Sequence, residues 1–195
     1  MQKPILFFAF ANAHDQYLRG LPDELRQIRE ALNAAEQADV CEIVERANAS
    51  VQDIFDVFQD KRYAGRIAVL HYAGHAGDYK LLLETATGNA AANTDGLVPF
   101  LTRQTGLSLI FLNGCCTQLQ GEELSAAGIA AVVCTYREIP DETARTLAAR
   151  FYQGLGQGLT LNQSWLDAVD EAKTELTPPS VFEKNLTKSK KNEQE

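Results

Sequence analysis

No stretch of the sequence approaches the roughly 20 consecutive apolar residues that a helix needs to cross a bilayer. A basic excess is missing too. The 18 Lys and Arg are outnumbered by 26 Asp and Glu, for a net charge of −8, which argues against a nucleic-acid backbone or an anionic membrane surface as the main partner. Cysteine is scarce, with only Cys41, Cys115, Cys116 and Cys134 present. A chain of 195 residues can bury a core without staples, so a disulfide scaffold is excluded and a reducing, cytoplasmic setting is expected. No Gly-x-Gly follows the first candidate strand, where Ala11-Asn12-Ala13-His14 stands instead, and this removes the dinucleotide-binding turn. A Gly-Lys-Ser/Thr phosphate loop is absent, as is a Gly-x-Ser-x-Gly nucleophile elbow. There is no Cys-x-x-Cys pair, so His71 and His75 with Cys115 and Cys116 do not make a zinc knuckle. Neither a metal nor another cofactor is expected.

What is present reads as one α/β-sized soluble domain, 45% hydrophobic and 23% charged. Residues 1–13 have one Lys, a short apolar run and an A-x-A ending, a faint likeness to a secretory signal. The run covers only residues 5–11 behind Pro4, and it reads better as a strand buried on both faces. Leu21, Leu25, Ile28, Leu32 and Ala35 then recur at helical spacing behind Pro22 and Asp23. A short strand at 41–44 and a second amphipathic helix marked by Val51, Ile54, Phe55 and Phe58 follow. Residues 67–72 (IAVLHY) make a third strand that runs into the turn 73–77. Residues 80–84 form a short strand, 88–93 (GNAAAN) a loop, and 97–102 the start of a helix. Residues 107–112 (LSLIFL) and 129–135 are the fourth and fifth strands. Helices from Asp141 or Glu142 to Leu155 and from 161 to 176 complete the pattern, and Pro178-Pro179 stops the last of them. Beyond it the chain is polar. Strands alternating with helices imply a mostly parallel sheet covered on both faces, with its working site at the carboxyl ends of the strands.

That rule brings two segments together. The third strand delivers His75 and the fourth delivers Cys115, each directly after a glycine, Gly74 and Gly114. Neighbouring strand ends lie about 5 Å apart, close enough for the side chains to converge. A thiol needs a base or an electropositive setting to act as a thiolate near neutral pH, and an imidazole supplies either. Sharp glycine turns also present peptide N–H groups, and those of Ala76 and Cys115 are the candidates for holding an oxyanion. Cys41 and Cys134 lie inside strand patterns and read as inert core. His14 with Asp15 follows the first strand and also sits at the working edge, although a plain polar loop explains them as well.

The segments HYAGHAG at 71–77, LIFLNGCCTQ at 109–118 and VVCTYREIPDETARTLAARFYQGL further on resemble a CHAT domain, a bacterial branch of the caspase-like cysteine peptidases. The resemblance covers nearly the whole chain. It implies a caspase-like three-layer α/β/α sandwich with a mostly parallel central sheet, spanning residues 1–177, with 178–195 as a polar tail or linker. It further implies a metal-free endopeptidase in which His75 is general base and acid and Cys115 the nucleophile. Cys116 stands where the family often has Ser or Glu and is a bystander. The family commonly shows Gly-His-Gly where this chain has Gly-His-Ala, which is harmless if Ala76 keeps a negative φ.

The substrate expected from this resemblance is a protein or peptide, with an activating protein partner a further expectation. The cut would be regulatory, in bacterial defence or cell death. Asp141 matches an acidic position common in CHAT domains, and Asp141 or Asp78 could pair with a basic substrate residue. Arg137 would favour an acidic one, and Asp141 could equally cap the helix that starts beside it. The rival reading is a catalytically silent scaffold of the same fold, because one fold hosts many functions.

Overall fold

The computed structural model describes residues 2–12, 17–77, 80–85, 88–136, 139–175 and 184–188 of the 195. Strand β1 (Ile5–Ala11) is buried along its whole length, as its continuous apolar run requires when both faces are covered. Helix α1 (Leu21–Gln37) starts with Pro22 in its first turn and turns Leu21, Ile28, Leu32 and Ala35 inward. Strand β2 (Glu42–Arg46) leads to α2 (Val51–Gln59), whose first turn is closed by a reciprocal cap between Ser50 and Asp53. Strand β3 (Ile67–Gly74) follows. The chain then makes a small antiparallel sheet from β4 (Ala76–Gly77), β5 (Lys80–Thr85) and β6 (Gly88–Asn93).

Helix α3 (Thr94–Thr102), strand β7 (Leu109–Asn113), helix α4 (Gln118–Ala126) and strand β8 (Ala131–Thr135) come next. Helices α5 (Asp141–Gly156) and α6 (Leu161–Glu175) precede a final strand, β9 (Lys184–Lys188). The main sheet runs in the order β2-β1-β3-β7-β8-β9. Its first five members are parallel, and β9 is antiparallel to β8. Residues 6, 8 and 10 of β1 face one layer and residues 5, 7, 9 and 11 the other, as the two-residue period of a strand dictates. The first layer is α1, α5 and α6, built on Phe8, Phe111, Leu147, Phe151 and Trp165. The second is α2, α3 and α4 with the small sheet, built on Phe7, Phe58, Phe100, Leu101 and Leu124. The architecture is therefore the expected three-layer α/β/α sandwich.

The structure departs from the sequence reading at three places. Residues 88–93, expected as a loop, form β6 in full register with β5. Leu81 and Leu83 of β5 and Ala92 of β6 are buried in the core. Helix α4 has no counterpart in the sequence reading. Within the segment expected as a polar tail, residues 184–188 add an edge strand to β8. An outermost strand needs backbone groups on one side only, and lysines are common there.

Candidate active site

Strands β3 and β7 are direct neighbours, with Ala73 opposite Asn113. The next residues along the two strands are Gly74 and Gly114, and then His75 and Cys115. The glycines are set by crowding. A Cβ on Gly74 would lie 2.4 Å from the Ala11 carbonyl oxygen and 2.8 Å from Tyr72 Oη. One on Gly114 would lie 2.7 Å from the Gly74 carbonyl oxygen and 3.0 Å from Ala76 Cβ. No real Cβ sits at the shorter distances, so the two turns touch backbone to backbone.

Each turn is held from behind. Tyr72, fully buried, donates its hydroxyl to the His75 carbonyl. On the other side Thr135 Oγ1 donates to the Gly114 carbonyl. Thr117 Oγ1 accepts the Thr135 N–H at 2.9 Å and donates to the Leu112 carbonyl at 3.4 Å. The Thr117 N–H reaches Thr135 Oγ1 at 3.4 Å. This clasp fixes the passage from β7 through Cys115 into α4. Cys116, exposed in the middle of it, takes the left-handed φ of +53°. Among the described non-glycine residues only Asp39 and Cys116 have positive φ. Ala76 does not, so its departure from glycine is accommodated.

His75 and Cys115 line one cavity of about 100 Å³. Leu18, Leu21, Ile139 and Ala144 contribute its apolar lining, and Glu24, Asn113, Asp141 and Arg145 its polar lining. Arg145 Nη1 is 3.6 Å from Asp23 Oδ2, and its Nε is buried without a hydrogen-bond partner among the described residues. Asp141 is the first residue of α5. Pro140 is the N-cap and Asp141 follows it inside the helix, and no side chain among the described residues caps it, so Asp141 does not play the capping role considered for it. Asp78, Arg137, His14 and Asp15 lie outside the described residues. Cys41 and Cys134 are buried, as expected of core thiols. Burial, with Glu36 nearby, pushes the Cys41 thiol up.

Behind the cavity is a polar cluster that the sequence reading did not find. Glu24 is 3% exposed and His71 0%. Glu24 Oε1 lies 3.1 Å from His71 Nε2 and accepts Asn113 Nδ2–H at 2.7 Å. His71 Nδ1 is 3.1 Å from Tyr152 Oη. Burial first, and the Glu24 carboxylate second, push the Tyr152 hydroxyl well above the usual phenol range, so it stays a donor. The tautomer that satisfies every group follows from that. Tyr152 donates to Nδ1, and Nε2–H donates to Glu24. His71 is thus a buried second support for Glu24, stacked among Phe8, Phe10 and Phe111 with ring centroids 5.0 to 5.5 Å away. The cue in the sequence is position 24 itself, three residues after Leu21 and four before Ile28, a charged residue inside the buried stripe of α1.

The model of the CHAT domain family matches residues 2–187. No curated protein sequence matches the chain. Among solved structures it is similar to a secreted C11 cysteine protease from Bacteroides thetaiotaomicron in complex with an irreversible peptide inhibitor. The TM-score is 0.61 at 10% identity, over 88% of this chain and 58% of the other. It is also similar to the Drosophila initiator caspase Dronc, with TM-score 0.57 and 10% identity, over 90% of this chain and 75% of that one. An inactive zymogen C11 protease from Parabacteroides distasonis gives TM-score 0.53 at 12% identity, covering 90% and 60%. The chain thus spans little more than half the length of the first of these. At such identities the likeness is one of fold.

Proposed function

The chain belongs to the CHAT domain family, and from that premise we propose that it is a cysteine endopeptidase working through a His75–Cys115 dyad. One observation carries the reading: both residues open on the same cavity from the ends of adjacent parallel strands. In this mechanism His75 takes the proton of the Cys115 thiol, and the sulfur attacks a peptide carbonyl of a protein substrate. The peptide N–H groups of Ala76 and Cys115 stabilise the oxyanion, and His75 returns the proton to the leaving amine. Water then hydrolyses the thioester, with His75 as base. The chain enters α4 three residues after Cys115.

Asp141 lines the same cavity and contributes to binding the residue before the cut, with Asp78 its expected companion. No helix among the described residues is long and apolar enough to cross a membrane. The four cysteines are thiols rather than disulfides, which fits a reducing cytoplasm. The role proposed is a regulatory cut in bacterial defence or cell death, under control of a protein partner, with neither nucleic acid nor membrane as direct ligand.

The test is digestion of a diverse peptide mixture read by mass spectrometry, with Cys115→Ala beside the wild type. Cuts made by the wild type and missing from the variant are expected. If the two digests are the same, the chain is not a peptidase under those conditions and the scaffold reading takes its place.

A further inference from the structure

The cavity beside the dyad carries information about what enters it. Its lining is a short apolar sleeve of Leu18, Leu21 and Ile139, with a carboxylate, Glu24, in its wall. Glu24 is nine-tenths buried or more, and its Oε1 is saturated by His71 and Asn113. Its Oε2 has no hydrogen-bond partner among the described residues. With Oε1 taken up by His71 and Asn113, the carboxylate leaves its other oxygen to accept from a positively charged donor. Asp141, on the same cavity, adds a second negative charge. The cation among these residues, Arg145, is turned toward the exposed Asp23, and its Nε is sealed from solvent.

Resting on the peptidase reading above, we propose that Glu24 is the specificity-determining residue of this site and selects a lysine or arginine immediately before the scissile bond. The aliphatic stem of such a side chain lies against Leu18, Leu21 and Ile139, and its charged head reaches Glu24 Oε2. An aspartate or glutamate there would meet Glu24 and Asp141 instead. His71, Asn113 and Tyr152 act through Glu24 as positioning residues, since they fix which oxygen faces the cavity.

Two measurements test this. In the first, the folded Cys115→Ala protein, which cannot turn over, is titrated with n-butylguanidine and with glutarate and followed by NMR. Saturable binding of the guanidine that weakens about tenfold or more in the additional Glu24→Gln background is expected, because a charged partner is lost at a desolvated site. Binding of glutarate instead, or guanidine binding indifferent to Glu24→Gln, would overturn the assignment without bearing on the peptidase reading. In the second, wild type and Glu24→Gln are compared on peptides differing only before the cut. A kcat/KM preference for Lys or Arg over Leu that falls about tenfold to a hundredfold in the variant is expected. Cleavage that depends on Cys115 but favours acidic or apolar residues would refute the specificity and leave the peptidase standing.

Discussion

The smallest residues at this site are the most tightly specified. Gly114 has no room for a methyl group, because Gly74 and Ala76 of the opposing turn are in the way. Gly114→Ala is expected to move Cys115 off its line with His75, lowering peptidase activity at least about tenfold and costing about 2 kcal/mol of stability by overpacking. Thermal and urea melts with a parallel peptide assay would check both, and full activity with native stability would contradict the packing argument. His75 and Cys115 could be read from the sequence because each ends an apolar run directly after a glycine. Glu24 could not be read as part of the site. Its partners His71 and Asn113 lie 47 and 89 residues away, and only the folded sheet makes them neighbours. The same holds for Tyr72, Thr117 and Thr135, whose roles depend on which carbonyl each hydroxyl meets.

Helices α5 and α6 are tied by Arg150 and Glu171, whose guanidinium donates through Nε and Nη2 to both carboxylate oxygens. The Arg150 hydrogen bonds hold the Glu171 carboxyl below its usual range, against the opposing effect of burial. A depressed folded value means that this stabilisation is full above the unfolded value near about 4.3 and is lost as pH falls through the folded one. Glu171→Gln is expected to cost about 0.5 to 1 kcal/mol at neutral pH, the small figure reflecting partly exposed partners. The difference from wild type should shrink toward zero as the pH falls below about 4. Urea titrations at several pH values would reveal it, and a pH-independent gap would show that the pair acts through packing alone.

Elements with a clear period, such as β1, β3, β7 and α1, were legible because burial on one or both faces writes itself into the residue order. Helix α4 was not. Its Gly121 weakens a helical pattern, yet a Cβ there would sit 2.5 Å from Cys134 Sγ, so the residue serves close packing on β8. Strands β6 and β9 were hidden for another reason, since Gly, Asn, Ala and Lys carry little strand preference and are recruited by the neighbours they pair with.

Across the whole molecule, β1, β3 and β7 form the middle of the main sheet, with a helical layer on either side and β2 and β9 at the edges. Amide protons in Val69–Ala73 and Leu109–Asn113 are accordingly expected to exchange with deuterium only through global unfolding. Exchange followed by mass spectrometry across a urea series would check this. Protection in these strands that falls well short of the unfolding free energy would contradict it. The alternation of apolar strands and amphipathic helices made this layering legible in the sequence, but the strand order depended on pairings between distant segments. The pairing of β3 with β7 has one more consequence. In the proposed dyad, the spacing between His75 and Cys115 is anchored by the separation and register of the two strands that lead to them. An activator that tried to retune it would have to melt the middle of the protein. Control of the proposed peptidase is therefore expected at admission to the cavity, with the proposed dyad left as the sheet sets it.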